Sequence, residues 1–223
     1  MKQLLSFIIL GIAAVSASSC KKSNDASNSI TNWNEYLKNT VWAGEFRYTK
    51  GSFTGLQPFS IELNADGTVS WTDVASTRPG GVWTVKDSVV TLVFPNMTSN
   101  AATLSKDKWS KFTNPAINGF DLANLSLTAI PVAEQLNTHT WIGKYGKTAD
   151  IILHFLQGQK MSFLSYNEAY TIHGAGVICN RTVNGFAITT YCVFTSSIDM
   201  IGADVVHSAS GTDQFIPIIA KKE

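Results

Sequence analysis

The sequence has few charged residues and no excess of either sign. Only 15% of its 223 residues are charged, and 17 basic against 16 acidic residues leave a formal charge of +1. Because the chain also lacks basic clusters, it offers no electrostatic footprint for a nucleic-acid backbone, and we expect no nucleic-acid partner. Its 44% hydrophobic and 11% aromatic content excludes a disordered chain. This composition favours an all-β fold, in which such side chains half-bury on pleated faces.

The motifs of common catalytic and metal sites are also missing. There is no Gly-x-Ser-x-Gly elbow, phosphate-binding loop or Gly-x-Gly-x-x-Gly fingerprint. No two histidines are spaced as a metal-binding pair, and none has a carboxylate at ligand spacing. We therefore predict no catalytic residue, no metal and no cofactor, and we expect that the protein is not an enzyme.

The only long apolar run is at the N-terminus. A short positive region that includes Lys2 precedes the run from Leu4 to Val15, and small residues from Ser16 to Ser19 lead to Cys20. The run is shorter than the roughly 20 apolar residues of a membrane-spanning helix. This order is typical of a secretory signal peptide, which we assign to residues 1–19. No later segment has such a run, so the mature domains are expected to be soluble.

A cysteine directly after the small residues resembles the lipobox of bacterial lipoproteins. The resemblance implies that Cys20 becomes the first residue after cleavage and carries several acyl chains, palmitate among them, which together anchor a protein stably. The alternative is an ordinary signal peptide with an incidental cysteine. Residues 20–33 read as a solvated tether. We expect a cell-envelope protein, weakly favouring the outer membrane, with no preference for its periplasmic or surface face.

The rest of the chain contains one opening twice. Trp42-Ala43-Gly44-Glu45-Phe46 and Trp141-Ile142-Gly143-Lys144-Tyr145 share the pattern Trp-x-Gly-x-aromatic, and the two tryptophans are 99 residues apart (141 − 42). Each opening begins a segment of short alternating apolar runs, which is typical of half-buried strands. The repeat therefore predicts two similar β-rich units, each of one small domain length.

The first unit has clear hairpin signals. Phe59, Ile61 and Leu63 alternate with polar residues before a turn in which Gly67 supplies a positive φ. A second hairpin is predicted around the turn Lys86-Asp87-Ser88. The stretch from Thr98 to Asn118 is less regular, and we interpret its charged part, Leu104 to Phe112, as a short helix or a decorated loop.

These spacings resemble the small lipocalin-like domains of bacterial lipoproteins. The matching segments are Trp42-Ala43-Gly44, Asn64-Ala65-Asp66-Gly67-Thr68-Val69 and Gly81-Val82-Trp83-Thr84-Val85. The resemblance implies two tandem small antiparallel β-barrels, lipocalin-like repeats at residues 34–131 and 137–223, with Trp42 and Trp141 closing the barrel bases. One larger duplicated barrel is the alternative. We prefer two barrels because the stretch from Pro131 to Asn137 reads as a linker.

The second unit contains the strongest hairpin signal, Asn184-Gly185. Centring the turn there pairs Arg181 with Ile188, Cys179 with Thr190, and Val177 with Cys192. The face that carries these residues is otherwise apolar, so Arg181 and both cysteines are expected to point inward. The opposite face, which includes Tyr191, is expected to be wetter.

Cys179 and Cys192 would then be diagonal neighbours on one face. A twisted hairpin could bring them within disulfide range in an oxidising compartment, and we assign them as a candidate disulfide. The alternative, which we favour, is two buried free thiols that act as small hydrophobes.

Four residues are candidates for ligand binding. A buried Arg181 needs a partner, which could be a carboxylate or phosphate of a ligand; we favour the alternative that it reaches solvent or packs on an aromatic ring. Trp71 and Trp83 could line a cavity for an apolar or sugar ligand, although core filling is the simpler interpretation for a small barrel. Tyr145 shares the face of Trp141 and completes the set.

Non-catalytic binding of a small apolar or sugar-like ligand, or of an envelope protein, is therefore the predicted function. One alternative is a structural or inhibitory surface protein with filled barrels. Another is an envelope enzyme, for which Arg181, His173 and Glu168 would have to converge inside one barrel. The predicted partners are the membrane, through the lipid anchor, and that ligand or protein.

Overall fold

The computed structural model describes residues 30, 32–48, 56–74, 77–95, 100–105, 108–113, 120–137, 139–209, 211 and 213–223. These residues form two closed antiparallel barrels of eight strands each. The predicted all-β fold with two barrels is confirmed, and the alternative of one larger barrel is wrong. Cys20 and the predicted signal peptide lie outside the described residues.

Strands follow chain order around each barrel, and the last strand pairs with the first. The first barrel comprises helix α1 (Trp33–Leu37) and strands β1 (Thr40–Tyr48), β2 (Gln57–Leu63), β3 (Thr68–Asp73), β4 (Thr77–Lys86), β5 (Val89–Val93), β6 (Asn100–Ser105), β7 (Lys108–Thr113) and β8 (Phe120–Thr128). The second comprises helix α2 (Ala133–Leu136) and strands β9 (Thr140–Tyr145), β10 (Ala149–Leu156), β11 (Lys160–Phe163), β12 (Tyr166–His173), β13 (Gly176–Val183), β14 (Phe186–Phe194), β15 (Asp199–His207) and β16 (Gln214–Lys222).

Closure differs between the barrels. In the first, β8 pairs with β1 along most of its length, whereas β7 and β8 meet at the described pair Lys108–Ser126. In the second, β9 pairs with both β10 and β16 over several residues. Within the described ranges, no helix has the length and apolar character needed to cross a bilayer.

The predicted turn between β2 and β3 forms because its side chains satisfy its backbone. Gly67 has a φ of 84°, and its amide donates to the Asn64 carbonyl at 3.1 Å. The Asp66 carboxylate accepts from the Thr68 amide at 2.9 Å and from the Thr68 hydroxyl at 2.6 Å. These short-range bonds explain why this turn is legible in the sequence.

The hairpin of β13 and β14 has the predicted register. Arg181 lies opposite Ile188, Cys179 opposite Thr190, and Val177 opposite Cys192. Asn184-Gly185 forms the two-residue turn, which fixes every pair behind it.

The glycine of the Trp-x-Gly opening allows two strands to approach closely. Gly143 of β9 lies opposite Ala220 of β16, and a Cβ added to it would be 1.9 Å from the Ile219 carbonyl oxygen. In the first barrel the corresponding strand β1 has an irregular register against β8 between Ala43 and Glu45, at Gly44. The opening is therefore needed where each barrel closes.

The interpretation of Leu104 to Phe112 as a helix or loop is wrong. Leu104 and Ser105 belong to β6 and the residues from Lys108 to Phe112 to β7, and these two strands pair with each other. Ala102, Leu104 and Trp109 are buried in the first barrel, and the Trp109 ring lies 5.3 Å from that of Trp42. The charged residues around Trp109 made this alternation difficult to recognise in the sequence. The strand forms because Trp109 is buried against Trp42.

The two barrels pack directly against each other. Tyr191 projects outward from β14, is fully buried, and shares a 2.9 Å hydrogen bond with Ser60 of the first barrel. An apolar cluster surrounds this contact, made of Val41, Ala43, Val74, Ala175, Tyr191, Val193 and Val205. The prediction that the face of Tyr191 is wet is wrong for this residue, because the other barrel covers it.

Candidate functional site

Aromatic side chains pack together in the described interior of the first barrel. Trp71 stacks on Phe59 with a ring separation of 4.3 Å, and its indole donates to Asp73 at 2.8 Å. The Trp83 indole donates to the Asn64 carbonyl at 3.0 Å. Both predicted ligand-binding tryptophans are buried with their single donor satisfied, as expected for core residues.

One end of the second barrel, here called its base, is filled in the same way. The base is the end at which β9 begins and β14 and β16 end. The Trp141 ring lies 5.2 Å from Phe194, which lies 5.9 Å from Phe155. Trp42 and Trp141 are both buried, as predicted for residues that close the barrels.

The opposite end, here called the mouth, contains a buried ion pair. Arg181 pairs through its Nη2 with Asp204, and its Nη1 donates to the Thr190 hydroxyl, which donates to Asp204 in turn. The Tyr145 hydroxyl donates to Asp204 at 2.9 Å. The Arg181 guanidinium lies 4.8 Å from the centre of the Phe163 ring. Burial and the negative charge of Asp204 raise the pKa of Tyr145 well above its usual value.

This arrangement corrects the interpretation of Arg181 as a residue that reaches solvent. The Arg181 side chain is 3% exposed and packs on the ring of Phe163. Packing on an aromatic ring was the second possibility named in that alternative. The carboxylate that pairs with Arg181 belongs to Asp204 of the chain itself and not to a ligand. Sequence reasoning missed Asp204, although pairing β15 with β14 places it opposite Thr190 on the inward face.

Of the three residues named for an enzyme, His173 lies apart from the other two. His173 lies at the end of β12 nearest the first barrel, where its Nδ1 is 3.4 Å from the Thr77 hydroxyl. Arg181 lies toward the mouth, two residues from the Asn184-Gly185 turn. Glu168 of β12 lies opposite the buried Met161 of β11, and both Glu168 and Arg181 act electrostatically on the Cys179 thiol. The described residues therefore do not bring His173 to Arg181.

The cysteines of β13 and β14 are free and buried, so the candidate disulfide is not formed. In the observed register Cys179 faces Thr190 and Cys192 faces Val177, so neither thiol is directly opposed to the other. Burial raises the pKa of Cys179 to about 11 and that of Cys192 further. Both thiols therefore remain protonated at neutral pH and pack as small apolar groups.

A groove of about 960 Å³ opens outside the barrels, at the base of the second barrel beside the linker. We call it the base groove. It is lined by Leu127, Thr128, Ala129, Ile130, Pro131, Val132, Glu134, Gln135, Leu136, His139, Trp141, Phe194, Ser196, Ser197 and Lys222. Leu127, Ile130 and Val132 are exposed aliphatic residues, so one wall is apolar and open to solvent. The volume is in the range of small-molecule sites.

Two polar groups of the base groove lack protein partners. The Trp141 Nε1 atom is buried and has no hydrogen-bond partner among the described residues. Lys222 is half-buried, and no ion pair to its ammonium is found in the described part of the chain. Trp141 and Lys222 are directly opposed on β9 and β16. These two groups were not identified as a site from the sequence, because β16 pairs with β9 only on barrel closure.

Comparison of the chain with models of protein families, with curated proteins and with solved structures found no match. Within the described ranges there is also no group of three or more His, Cys, Asp or Glu residues arranged to hold a metal ion. The base groove is therefore identified by its geometry and its chemistry alone.

Proposed function

We propose that this chain is a non-catalytic binding protein of the cell envelope that takes a small, mainly apolar ligand in the base groove. The observation that carries the proposal is the location of the groove: it opens at the base of the second barrel, whereas the described interiors of both barrels contain clusters of packed side chains. Eight-stranded barrels have interiors that side chains can fill. A ligand therefore binds in the space between structural units, which is a common location of binding sites.

The envelope location is supported by the sequence. The leader and Cys20 resemble those of lipid-anchored bacterial proteins, and the repeats resemble lipocalin-like domains. In that arrangement the acyl chains hold the two barrels near a membrane, and the ligand is one that reaches this surface.

A second candidate is a protein partner in place of a small molecule. The exposed wall of the groove is formed by the aliphatic residues Leu127, Ile130 and Val132. Ile198, which is 55% exposed, follows the lining residues Ser196 and Ser197 in the chain. A contiguous apolar surface of this kind favours a protein interface. The filled barrels are equally compatible with such a structural or inhibitory surface protein.

A blocked groove tests the proposal. In Ala129→Trp an indole would occupy the groove, whereas Ala149→Trp places the same side chain on an exposed strand at the mouth end of the second barrel. Titration with an environment-sensitive apolar dye should show binding to the native protein and to Ala149→Trp, and little to Ala129→Trp. Equal binding to all three would exclude the groove as the ligand site.

The anchor is tested separately. Native mass spectrometry of protein from its own host should show acylation at Cys20 and a retained small molecule. Cys20→Ser should release the protein from the membrane fraction. An unacylated Cys20 in mature protein would refute the anchor and leave the groove to be judged by the dye titration.

A further inference from the structure

The two tryptophans that close the barrels differ in how their indole N–H is satisfied. Trp42 donates to the Thr40 hydroxyl, two residues earlier, at 3.0 Å. In the second barrel the position two residues before the tryptophan is His139, and strand alternation directs the adjacent Thr140 to the other face. Its hydroxyl lies 3.3 Å from His154 instead. With histidine instead of threonine two residues before the tryptophan, the Trp141 donor has no partner in the described structure.

An unmatched positive charge lies opposite this donor. Lys222 is directly across from Trp141 in the register, and side chains opposed in this way have Cβ atoms roughly 5 Å apart. Its neighbour Lys221 points to the other face, is 76% exposed, and pairs with Asp199 at 3.6 Å. Lys222 is half-buried against the groove and has no such partner among the described residues. A cation beside an apolar wall is poorly solvated and attracts an anion more strongly than a fully exposed one does.

We propose that the ligand of the base groove is an amphiphile with an anionic head group, a carboxylate or a phosphate monoester. The Lys222 ammonium pairs with the head group, and the Trp141 indole donates a hydrogen bond to it directly or through one water. The apolar body lies along Leu127, Ile130 and Val132. This assignment rests on the proposed function, because it specifies the chemistry of a ligand in the same groove.

Glu134 is the one acidic residue of the groove lining, and its charge opposes an anion. It belongs to α2 and is exposed, so water screens it more than it screens the half-buried Lys222. The head group is therefore expected at the Lys222 side of the groove. Glu134→Gln should strengthen binding of an anionic amphiphile slightly and leave a neutral one unchanged.

Two probes of equal chain length separate the head group from the apolar body. Dodecanoate and its neutral counterpart dodecanol would be titrated into the native protein, Lys222→Gln and Lys221→Gln, with displacement of the apolar dye as the readout. Lys222→Gln should weaken dodecanoate binding by about tenfold or more, the usual effect of losing a charge-assisted bond. It should not affect dodecanol, and Lys221→Gln should affect neither probe. Dodecyl phosphate in place of dodecanoate distinguishes the two head groups.

Trp141→Phe removes the donor while retaining an aromatic ring, and circular dichroism verifies that the variant is folded. It should weaken dodecanoate binding severalfold and spare dodecanol. If both probes bind natively and Lys222→Gln changes neither, the anionic head group is overturned and the proposed function stands. Equal losses in Lys221→Gln and Lys222→Gln would also overturn it, since they indicate general surface attraction. If neither probe displaces the dye, both proposals fail.

Discussion

The two barrels share a strand order and a tryptophan–glycine opening, yet they place their acid–base pairs differently. In the first barrel, buried Asp73 lies 3.4 Å from Arg78, whose side chain is 37% exposed. In the second, both Arg181 and Asp204 are enclosed. The described core of the first barrel combines indole and phenyl rings with aliphatic side chains, whereas that of the second also contains methionines and two thiols. Closure of the sheet therefore constrains the backbone but does not determine which side chains fill the interior.

The enclosed pair has the largest expected effect on stability. Asp204→Asn leaves the Arg181 charge buried without a counter-ion, which should lower the free energy of unfolding by about 3–5 kcal/mol. Asp73→Asn, the matched change in the first barrel, should cost only about 1 kcal/mol, because water reaches Arg78. Urea unfolding followed by circular dichroism measures both.

A double variant sharpens this result. Arg181→Met combined with Asp204→Leu removes both charges together and should recover most of the stability lost in Asp204→Asn. A double variant as unstable as the single one would show that packing, and not the unpaired charge, dominates at the mouth.

Thiol reactivity is expected to distinguish opening of the second barrel from that of the first. In a Cys20→Ser background, both remaining cysteines lie in the second barrel. With the pKa of Cys179 at about 11 instead of 9, its thiolate fraction near pH 8 is lower by about a hundredfold than in the unfolded chain. Alkylation, read by intact mass, should therefore be slow until the barrel opens.

Five of the six tryptophans precede residue 131, so their fluorescence follows chiefly the first half of the chain. If the barrels unfold as one body, alkylation and fluorescence should show the same urea midpoint. Rapid alkylation of the native protein would contradict the enclosed environment of the thiols.

The different residues two positions before the tryptophans, Thr40 and His139, predict a smaller asymmetry in stability. Thr40→Val removes both the acceptor for Trp42 and a 2.7 Å bond to the Leu37 carbonyl, and should cost about 1–2 kcal/mol. Thr140→Val removes a 3.3 Å contact with exposed His154 and should cost little. Thermal unfolding compares the two; equal losses would refute the different roles of these threonines.

The stability of the protein is expected to depend modestly on pH through Glu62, which lies where the two barrels meet. Burial raises the pKa of Glu62, an effect that the nearby His173 partly offsets. A raised pKa means that the native state holds the proton longer, so stability falls as pH rises from the usual glutamate value through the folded pKa. Glu62→Gln should therefore increase stability at pH 7 and have less effect near pH 4.

Asp66 provides the opposite case within the same barrel. Hydrogen bonds from Thr68 lower its pKa, so its contribution is present above the usual aspartate value and is lost as pH falls through the folded pKa. Asp66→Asn should thus destabilise slightly at pH 7 and less in acid. Parallel pH profiles for Asp66→Asn and Glu62→Gln, measured by thermal unfolding, would contradict these assignments.

The hairpins were predictable because their determinants are close together in the chain. Asn64 to Thr68 and Asn184-Gly185 encode their own turns, and a turn fixes the register of the strands behind it. The strands β6 and β7 were not predictable, since the burial of Trp109 depends on Trp42, far away in sequence. The partner of Arg181 was missed for the same reason, because Asp204 is 23 residues away.

By itself, the sequence determined that the chain forms paired strands, where its best turns lie and which residues of the Asn184-Gly185 hairpin point inward. Alternation and turn chemistry are local properties, so they can be read without coordinates. Only the tertiary structure decided that Tyr191 is buried between barrels, that Asp204 neutralises Arg181, and that Lys222 meets Trp141. The contacts of Tyr191 and Lys222 form only when two barrels pack or a barrel closes, and that of Asp204 with Arg181 forms across β14, between strands that do not pair with each other. The free energy of burial is set when these strands come together.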